Sequence, residues 1–547
     1  MRSNSKNNYL HESLLMFMLF SVLFSSCTKD ELMNESSIRQ KSGRVMDIRI
    51  GDKIESPFLL RNMQRSVDSL TIRMGLKSKT ILKPTHFYVR FLPSNEVEYD
   101  QLVADTTLDF DSYPLDCKLT EGDYYHDPSL PEDAITWQYT VVPVEYDFGK
   151  TGIEYEILED LYILDEDLER EDLTVGGAHL CSGNRKSLSW KSVVDEALIQ
   201  TGSLGGAELR SKWTPAATIK AYDDRMNTYV PLQGVKVRIR YFAFLKAYHY
   251  TDVYGNVSFG SKRTSVEYSI EWERDMWDIR DGGTQAYYNG PDQKGRWNLN
   301  INSGTQKSLH YSAIHRALYK YYYGDCCGLV RPDKRLKISY QTGSDPDGFA
   351  LGSTAASKVR TWNWIFSAIK IYEKGKIART DGTVGESVES VSSVLSTTLH
   401  ELAHASHACR MSRNDYDNTS LFIKESWAVA VEWCLTLDEY RKLGVNLTML
   451  SFLDNIKGEQ EWPDIDRALI YSPLFIDMID SYNQGKSIFT RPFDEVSGYT
   501  MPLIDYKLTT MKNYVDIENF MKNNRPSNVT VDQINNLLKM YKQKWIN

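Results

Sequence analysis

Apolar and polar side chains alternate in several stretches of this chain, which is the pattern of half-buried β-strands. The clearest stretch is VKVRIRY (235–241), where Val and Ile alternate with Lys and Arg. One face of this strand is therefore expected to be buried and the other solvated. Two earlier stretches, THFYVRFLP (85–93) and ITWQYTVVPVEYDF (135–148), also predict strands. With the acidic, helix-capable segment between them, they suggest a small α+β domain at 79–178.

A turn follows the clearest strand. TDVYGN (251–256) ends in Gly255 and Asn256, which tolerate left-handed backbone conformations, and an apolar stretch comes next. A Gly-Val-x-Val strand, then Thr-Asp-x-x-Gly and an apolar strand, resembles the carboxypeptidase-regulatory-like β-sandwich of bacterial surface proteins. The resemblance implies such a module at 205–288, acting as a spacer or binding platform without chemistry of its own.

From about residue 290 the pattern becomes mainly helical. SLHYSAIHRALYKYYYG (308–324) predicts an amphipathic helix that ends at Gly324. RLKISYQTG (335–343) and WNWIFSAIKIY (362–372) predict strands before a long helix. A chain of 547 residues is too long for one core. We therefore expect a multidomain α+β protein whose third part, 290–547, is mainly helical.

The N-terminus predicts export. Arg2 and Lys6 precede LLMFMLFSVLF (14–24), an apolar run of signal-peptide length, and FSSC then places Cys27 after two small residues. This resembles a bacterial lipobox, which implies removal of residues 1–26 and a lipid anchor on Cys27. TKDEL (28–32) resembles the surface-display tag of Bacteroidetes lipoproteins. The expectation is an outer-membrane lipoprotein exposed on the cell surface, with a polar tether at 27–78. An ordinary cleaved signal with an incidental cysteine is the alternative.

The net charge limits the kinds of partner that the protein can bind, and the cysteine content bears on its disulfides. The net charge is −9 and the chain has no basic run that could follow a phosphate backbone, so nucleic acid is not an expected partner. Besides Cys27 there are six cysteines, an even number that permits disulfides in an exported protein. Six cysteines in so long a chain do not form a disulfide scaffold, and free buried thiols are equally expected.

The segment TTLHELAHASH (397–407) carries the strongest chemical signal. His400 and His404 are one helical turn apart and can share a tetrahedral metal, while Glu401 lies beside it as a general base. An apolar stripe through Leu395, Leu399 and Leu402 predicts that these histidines project away from the core. The metzincin pattern is absent, because His407 and Arg410 occupy the positions of its glycine and third histidine.

A third ligand is available further along the chain. KESWAVAVEW (424–433) carries Glu425 and Glu432 on a predicted helix that continues to about Leu443 and stops at Gly444. The two glutamates are seven residues apart, about 10 Å along a helix, so one zinc can reach only one of them. His407 is a further contender for the third position.

HExxH, followed about twenty residues later by Glu-[Gly/Ser]-[Phe/Trp]-Ala and a second Glu at +7, resembles the gluzincin metallopeptidases. The resemblance implies Zn²⁺ held by His400, His404 and Glu425, with Glu401 as base and Glu432 in support. The aminopeptidase Gly-x-Met-Glu-Asn signature is absent, and Val429 replaces the thermolysin-type aspartate. Such peptidases add a Tyr or His that stabilises the oxyanion. The candidates are Tyr471, which we favour, and Tyr499.

The expected function is a cell-surface zinc peptidase that hydrolyses peptide bonds of extracellular proteins or peptides. The alternative is a non-catalytic surface lipoprotein that binds glycan or peptide through a metallopeptidase-like domain. A purely structural surface protein is the third possibility and requires that no metal binds.

Overall fold

The computed structural model describes residues 47–76, 80–105, 107–164, 172–173, 188–205, 211–344, 369–378, 384–445, 472–481 and 495–545. The signal peptide, Cys27 and Tyr471 lie outside the described residues. The described helices are α1 (Leu60–Arg73), α2 (Glu96–Val103), α3 (Trp190–Gln200), α4 (Gln306–Tyr322), α5 (Val391–Cys409), α6 (Arg413–Asp417), α7 (Leu421–Lys442), α8 (Leu474–Ile479), α9 (Met501–Leu508), α10 (Tyr514–Asn523) and α11 (Val531–Trp545).

The described strands are β1 (Ile50–Lys53), β2 (His86–Leu92), β3 (Cys117–Leu119), β4 (Gln138–Pro143), β5 (Glu154–Leu161), β6 (Asp172–Leu173), β7 (Leu188–Ser189), β8 (Ala216–Asp223), β9 (Thr228–Pro231), β10 (Lys236–Tyr241), β11 (Leu245–Tyr250), β12 (Asn256–Ser258), β13 (Val266–Glu271), β14 (Glu273–Arg274), β15 (Trp277–Asp281), β16 (Thr284–Gln285), β17 (Tyr287–Gln293), β18 (Trp297–Ile301), β19 (Leu336–Ser344), β20 (Ile369–Ala378) and β21 (Val384–Val388). The chain is thus a mixed protein of helices and several sheets, as the expected α+β class requires.

The N-terminal part is built on a three-stranded antiparallel sheet of order β4–β2–β5. Helix α1 packs on α3 through an apolar cluster that includes Met63, Val67, Trp190 and Val193. Helix α1 lies in the segment expected to be a tether, so folded structure starts earlier than predicted. The reason is an apolar stripe, Met63, Val67 and Leu70, at helical spacing within an otherwise polar stretch.

Two sheets form a β-sandwich in the middle of the chain. One has the order β11–β10–β13–β17; in the other, β8 pairs with β12, β9 and β18. Inward side chains of both sheets, such as Ile219 of β8 and Ile239 of β10, belong to one apolar core. The sandwich runs from Ala216 to Ile301, beyond the limit of 288 expected from the sequence.

The charged face of β10 is buried, which corrects the expectation of a solvated face. Lys236, Arg238 and Arg240 are all buried. The N-terminal part covers this face, and Arg238 forms ion pairs with Asp111 and, within the sandwich, with Glu271. Buried charges are tolerated here because they are paired.

The third part shares its sheet with the sandwich segment. This sheet has the order β14–β15–β19–β20–β21, with β16 beside β15, and β15, β19 and β20 are parallel. Strands β14 to β16 interrupt the sandwich between β13 and β17. The two parts interleave and share one apolar core, so a boundary at 288–290 does not separate them.

Helices α4, α5 and α7 pack together in this third part. Helix α5 is buried on every side, so its histidines lie inside the protein and do not project away from the core as expected. The predicted helix at 308–324 is α4, and it is also almost wholly buried. No helix among the described residues has the length and apolar character needed to cross a bilayer. Cys117, Cys326, Cys327 and Cys409 are free thiols.

Candidate metal centre

Two helices carry the candidate metal ligands. Ser390 caps α5 by accepting a hydrogen bond from the Ser393 amide at 3.1 Å, a common N-cap arrangement. Helix α7 ends at Lys442, and Gly444 follows with a φ of 80°. A glycine in this conformation commonly ends a helix, and the stop predicted at Gly444 is confirmed.

Three donor atoms from these helices converge. His400 Nε2 and His404 Nε2 are 3.1 Å apart, and each lies 3.2 Å from Glu425 Oε2. The three side chains are about nine-tenths buried or more. Among the described residues, this is the group of His, Cys, Asp or Glu side chains whose donor atoms lie close enough to hold a metal ion together.

The triangle suits a tetrahedral metal. Zinc bonds to nitrogen and oxygen of about 2.0–2.1 Å place tetrahedral ligand atoms about 3.3 Å apart. The observed edges of 3.1 and 3.2 Å are close to that value. Two imidazoles and one carboxylate are also a donor set that catalytic zinc takes, so these residues fit the ion that the sequence suggests.

Glu432 orients one ligand of this set. Its Oε2 lies 3.1 Å from His400 Nδ1. An imidazole that donates from Nδ1 to a carboxylate keeps its Nε2 lone pair available for a metal. Glu432 therefore supplies the carboxylate partner that Val429 cannot supply.

The negative charges of Glu425 and Glu432 favour a positive charge at the site. Burial opposes protonation of His400, but hydrogen bonds to Glu425 and Glu432 raise its pKa well above the usual value. Although burial alone would raise the pKa of Glu425, the two histidines lower it. Either a proton on His400 or a bound cation can supply this positive charge.

Glu401 lies beside the triangle without belonging to it. It is 3% exposed, and its Oε2 has no hydrogen-bond partner within the described part of the chain. Burial raises the pKa of Glu401 well above its usual value, and the charges of Glu425 and Glu432 raise it further, although the charge of His400 opposes this. A carboxylate with a raised pKa is suited to accept and return a proton.

Tyr416 also lies at the site, although the sequence analysis missed it. Its ring packs edge-on against His407, with centroids 5.2 Å apart. Burial raises the pKa of Tyr416, and the charges of Glu425 and then Glu401 raise it further. The only sequence signal was the position of a tyrosine between the two halves of the motif, twelve residues after His404.

His407 and Tyr499 are not part of the ligand triangle. His407 is fully buried, and neither ring nitrogen has a partner within the described ranges; it is not part of the triangle. Tyr499 donates its hydroxyl hydrogen bond to the Met521 carbonyl at 2.6 Å, which is a structural contact. Tyr471 lies outside the described residues.

Comparison of the chain with protein-family models, curated proteins and solved structures finds no match. The chemistry open to this site follows from its own residues and their contacts.

Proposed function

We propose that this chain is a zinc-dependent peptidase. The observation that carries the proposal is the triangle of His400, His404 and Glu425, with Glu401 beside it, whose Oε2 has no hydrogen-bond partner among the described residues. The same residues underlie the resemblance to gluzincin metallopeptidases. The substrates we propose are extracellular proteins or peptides.

His400 and His404 would hold zinc through Nε2 and Glu425 through Oε2, with Glu432 fixing the orientation of His400. When bound, zinc supplies a Lewis acid that polarises the scissile carbonyl and makes water a stronger nucleophile at neutral pH. Three protein ligands, with a further position open, are the arrangement of catalytic zinc sites.

Glu401 performs the proton transfers. Its carboxylate accepts a proton from the water that attacks the carbonyl carbon, forming the new C–O bond. It then gives that proton to the amine nitrogen as the C–N bond breaks. The raised pKa of Glu401, caused first by burial, favours holding the proton between these steps.

Tyr416 is proposed as the residue that stabilises developing negative charge on the carbonyl oxygen. Its phenol is partly buried, and the charges of Glu425 and Glu401 act on it. Because its pKa is raised, the hydroxyl stays protonated and can act as a donor. Tyr471, which the sequence favours for this role, lies outside the described residues and stays a prediction.

The test combines metal analysis with an unbiased cleavage profile on a peptide library. Wild-type protein should retain zinc and cleave peptides. Glu401→Gln should retain zinc but lose hydrolysis by orders of magnitude, because Glu401 is not a ligand. Glu518→Gln, a surface glutamate of α10, is the matched control and should leave both unchanged.

Two results would contradict the proposal. Full hydrolysis by Glu401→Gln would remove the mechanism. Wild-type protein that holds zinc and cleaves no library peptide would favour the non-catalytic binding function instead.

The lipid anchor on Cys27 is also proposed, from the lipobox-like FSSC segment. Cys27→Ala should release the protein from the outer-membrane fraction and abolish surface labelling of intact cells. Unchanged fractionation of this variant would exclude the anchor.

A further inference from the structure

The β8–β9 turn of the sandwich reaches the ends of both helices that carry the candidate ligands. Asp223 is the last residue of β8 and pairs with Thr228 of β9, and Asp224 and Arg225 follow it in the turn. The two adjacent aspartates contact different helices. A sandwich that only spaced or displayed the third part would not require these contacts.

Asp224 holds the start of α5. Its Oδ2 accepts a hydrogen bond from the Val391 amide, the first residue of the helix, at 3.1 Å. Arg225 Nε donates to Ser392 Oγ at 3.3 Å in the same turn of helix. A carboxylate at a helix N-terminus also interacts favourably with the helix dipole.

Asp223 holds the end of α7. It is fully buried, and its Oδ2 accepts a hydrogen bond from the Tyr440 hydroxyl at 3.2 Å. Arg316 of α4 donates to Asp223 Oδ2 at 2.7 Å and to Glu439 Oε1 at 3.4 Å. The backbone amides of Arg225 and Met226 donate to the other oxygen, Oδ1, so the carboxylate is fixed from both sides.

These contacts show that α5 and α7 run antiparallel, because the start of one and the end of the other meet at one turn. His400 is nine residues from Val391, about 13 Å along α5. A shift of one residue along either helix is a translation of about 1.5 Å, half the length of an edge of the ligand triangle. The contacts at the turn therefore fix the axial register of the two helices, and the register in turn sets the distances among the three donor atoms.

We propose that Asp223 and Asp224 are positioning residues that set the register of α5 against α7, so that the sandwich determines the zinc affinity of the site. This rests on the proposed function, since it presumes that the triangle binds zinc. It gives the sandwich a role in the chemistry that its strand pattern alone does not suggest.

The test is zinc affinity of the full chain, measured by chelator competition at a temperature where circular dichroism shows each variant folded. Asp224→Ala should weaken zinc binding about tenfold, the lower end of the range for residues that orient ligands. Asp224→Asn should recover most of the affinity, because its amide oxygen still accepts the Val391 hydrogen bond. Tyr440→Phe, which removes one hydroxyl, should weaken binding several-fold.

Asp252→Ala is the matched control. Asp252 also accepts backbone hydrogen bonds in a sandwich turn, from Tyr254 and Asn256, but that turn does not hold α5 or α7. Its zinc affinity should equal that of the wild type. If Asp224→Ala does not fold, Tyr440→Phe decides the question alone.

The outcomes separate the two proposals. Wild-type protein without zinc affinity would overturn the proposed function and this inference together. Wild-type affinity in Asp224→Ala and Tyr440→Phe, with zinc bound, would overturn the positioning role alone. Equal losses in Asp224→Asn and Asp224→Ala would also overturn it, because hydrogen-bond acceptance at the helix start would not be the cause.

Discussion

Two buried glutamates near one another, Glu425 and Glu401, differ in pKa because their partners differ. Glu425 faces two imidazole nitrogens, which lower its pKa against the effect of burial. Burial raises the pKa of Glu401, and its Oε2 has no partner among the described residues to offset this. When two carboxylates have different pKa values, the one with the lower pKa stays ionised and can bind a cation, whereas the one with the higher pKa can take up and release a proton. The local contacts thus support the proposed ligand role of Glu425 and the proposed proton-transfer role of Glu401.

The proposed ligand set predicts opposite results for substitutions of Glu425 and His407. Glu425→Ala should lower zinc affinity by at least tenfold, because it removes one of three donors. His407→Ala should retain the affinity, because His407 is not part of the triangle. Chelator competition measures both constants. Zinc retention by the first variant and loss by the second would reverse the assignment.

Tyr416→Phe tests the proposed oxyanion donor. The variant should retain zinc and lower kcat by about 10²-fold, the loss typical for one oxyanion donor. KM should change little, since the hydroxyl acts on charge that develops in the transition state. Tyr506→Phe, on the exposed face of α9, is the control. An unchanged kcat for Tyr416→Phe would exclude the role.

At the scale of helices and strands, local sequence patterns predicted those elements whose position depends on local interactions. The helix around HELAH, the helix stop at Gly444 and the strands β2, β4, β10 and β19 are all present. The buried face of β10 could not be predicted, because Arg238 is neutralised by Asp111, which is distant in sequence. The contacts of Asp224 with α5 and of Tyr416 with the site are likewise tertiary. In the candidate centre, the motif residues and the supporting Glu432 could be predicted from the sequence, whereas the contacts of Asp224 and Tyr416 could not.

Helix α4 contains two buried histidines, and their burial predicts that the folded protein loses stability at acidic pH. Burial lowers the pKa of His310 and of His315 to about 4, in the second case with help from the charge of Arg274. Unfolding restores a value near 6.5, so the unfolded state binds more protons between pH 6.5 and 4. Stability from this source is complete above pH 6.5 and falls as the pH drops toward 4. For each histidine, the free energy of unfolding should fall by about 2 kcal/mol between pH 7 and pH 5.

Urea unfolding of wild type and His315→Gln at both pH values measures this contribution. The variant should lose about 2 kcal/mol less than wild type on going from pH 7 to pH 5. His126→Gln, the same substitution in the N-terminal part, controls for loss of a histidine as such. Parallel pH dependence in wild type and His315→Gln would show that His315 does not titrate as its burial implies.

At the scale of the molecule, ion pairs join the N-terminal part to both other parts. Asp111 pairs with Arg238 and, at 2.6 Å, with Lys246 of the sandwich. Asp100 of α2 pairs with Arg280 at 2.7 Å and with Lys337 at 2.5 Å on the sheet of the third part. Basic side chains on two sheets thus meet acidic side chains of the N-terminal part. These contacts hold the described parts of the chain in one arrangement.

Asp111→Ala tests whether this interface is closed in solution. Arg238 is 2% exposed, and loss of Asp111 would leave it and Lys246 without their shared buried carboxylate. Because Glu271 still pairs with Arg238, Asp111→Ala should cost less than the full loss of a buried pair, about 1.5–3 kcal/mol for lost hydrogen bonds to a charged group. Urea unfolding should show a loss of this size, whereas Asp160→Ala, on an exposed position of β5, should change stability by less than about 0.5 kcal/mol. A comparably small loss for Asp111→Ala would mean that water reaches Arg238, and that the N-terminal part does not cover the charged face of β10 in solution.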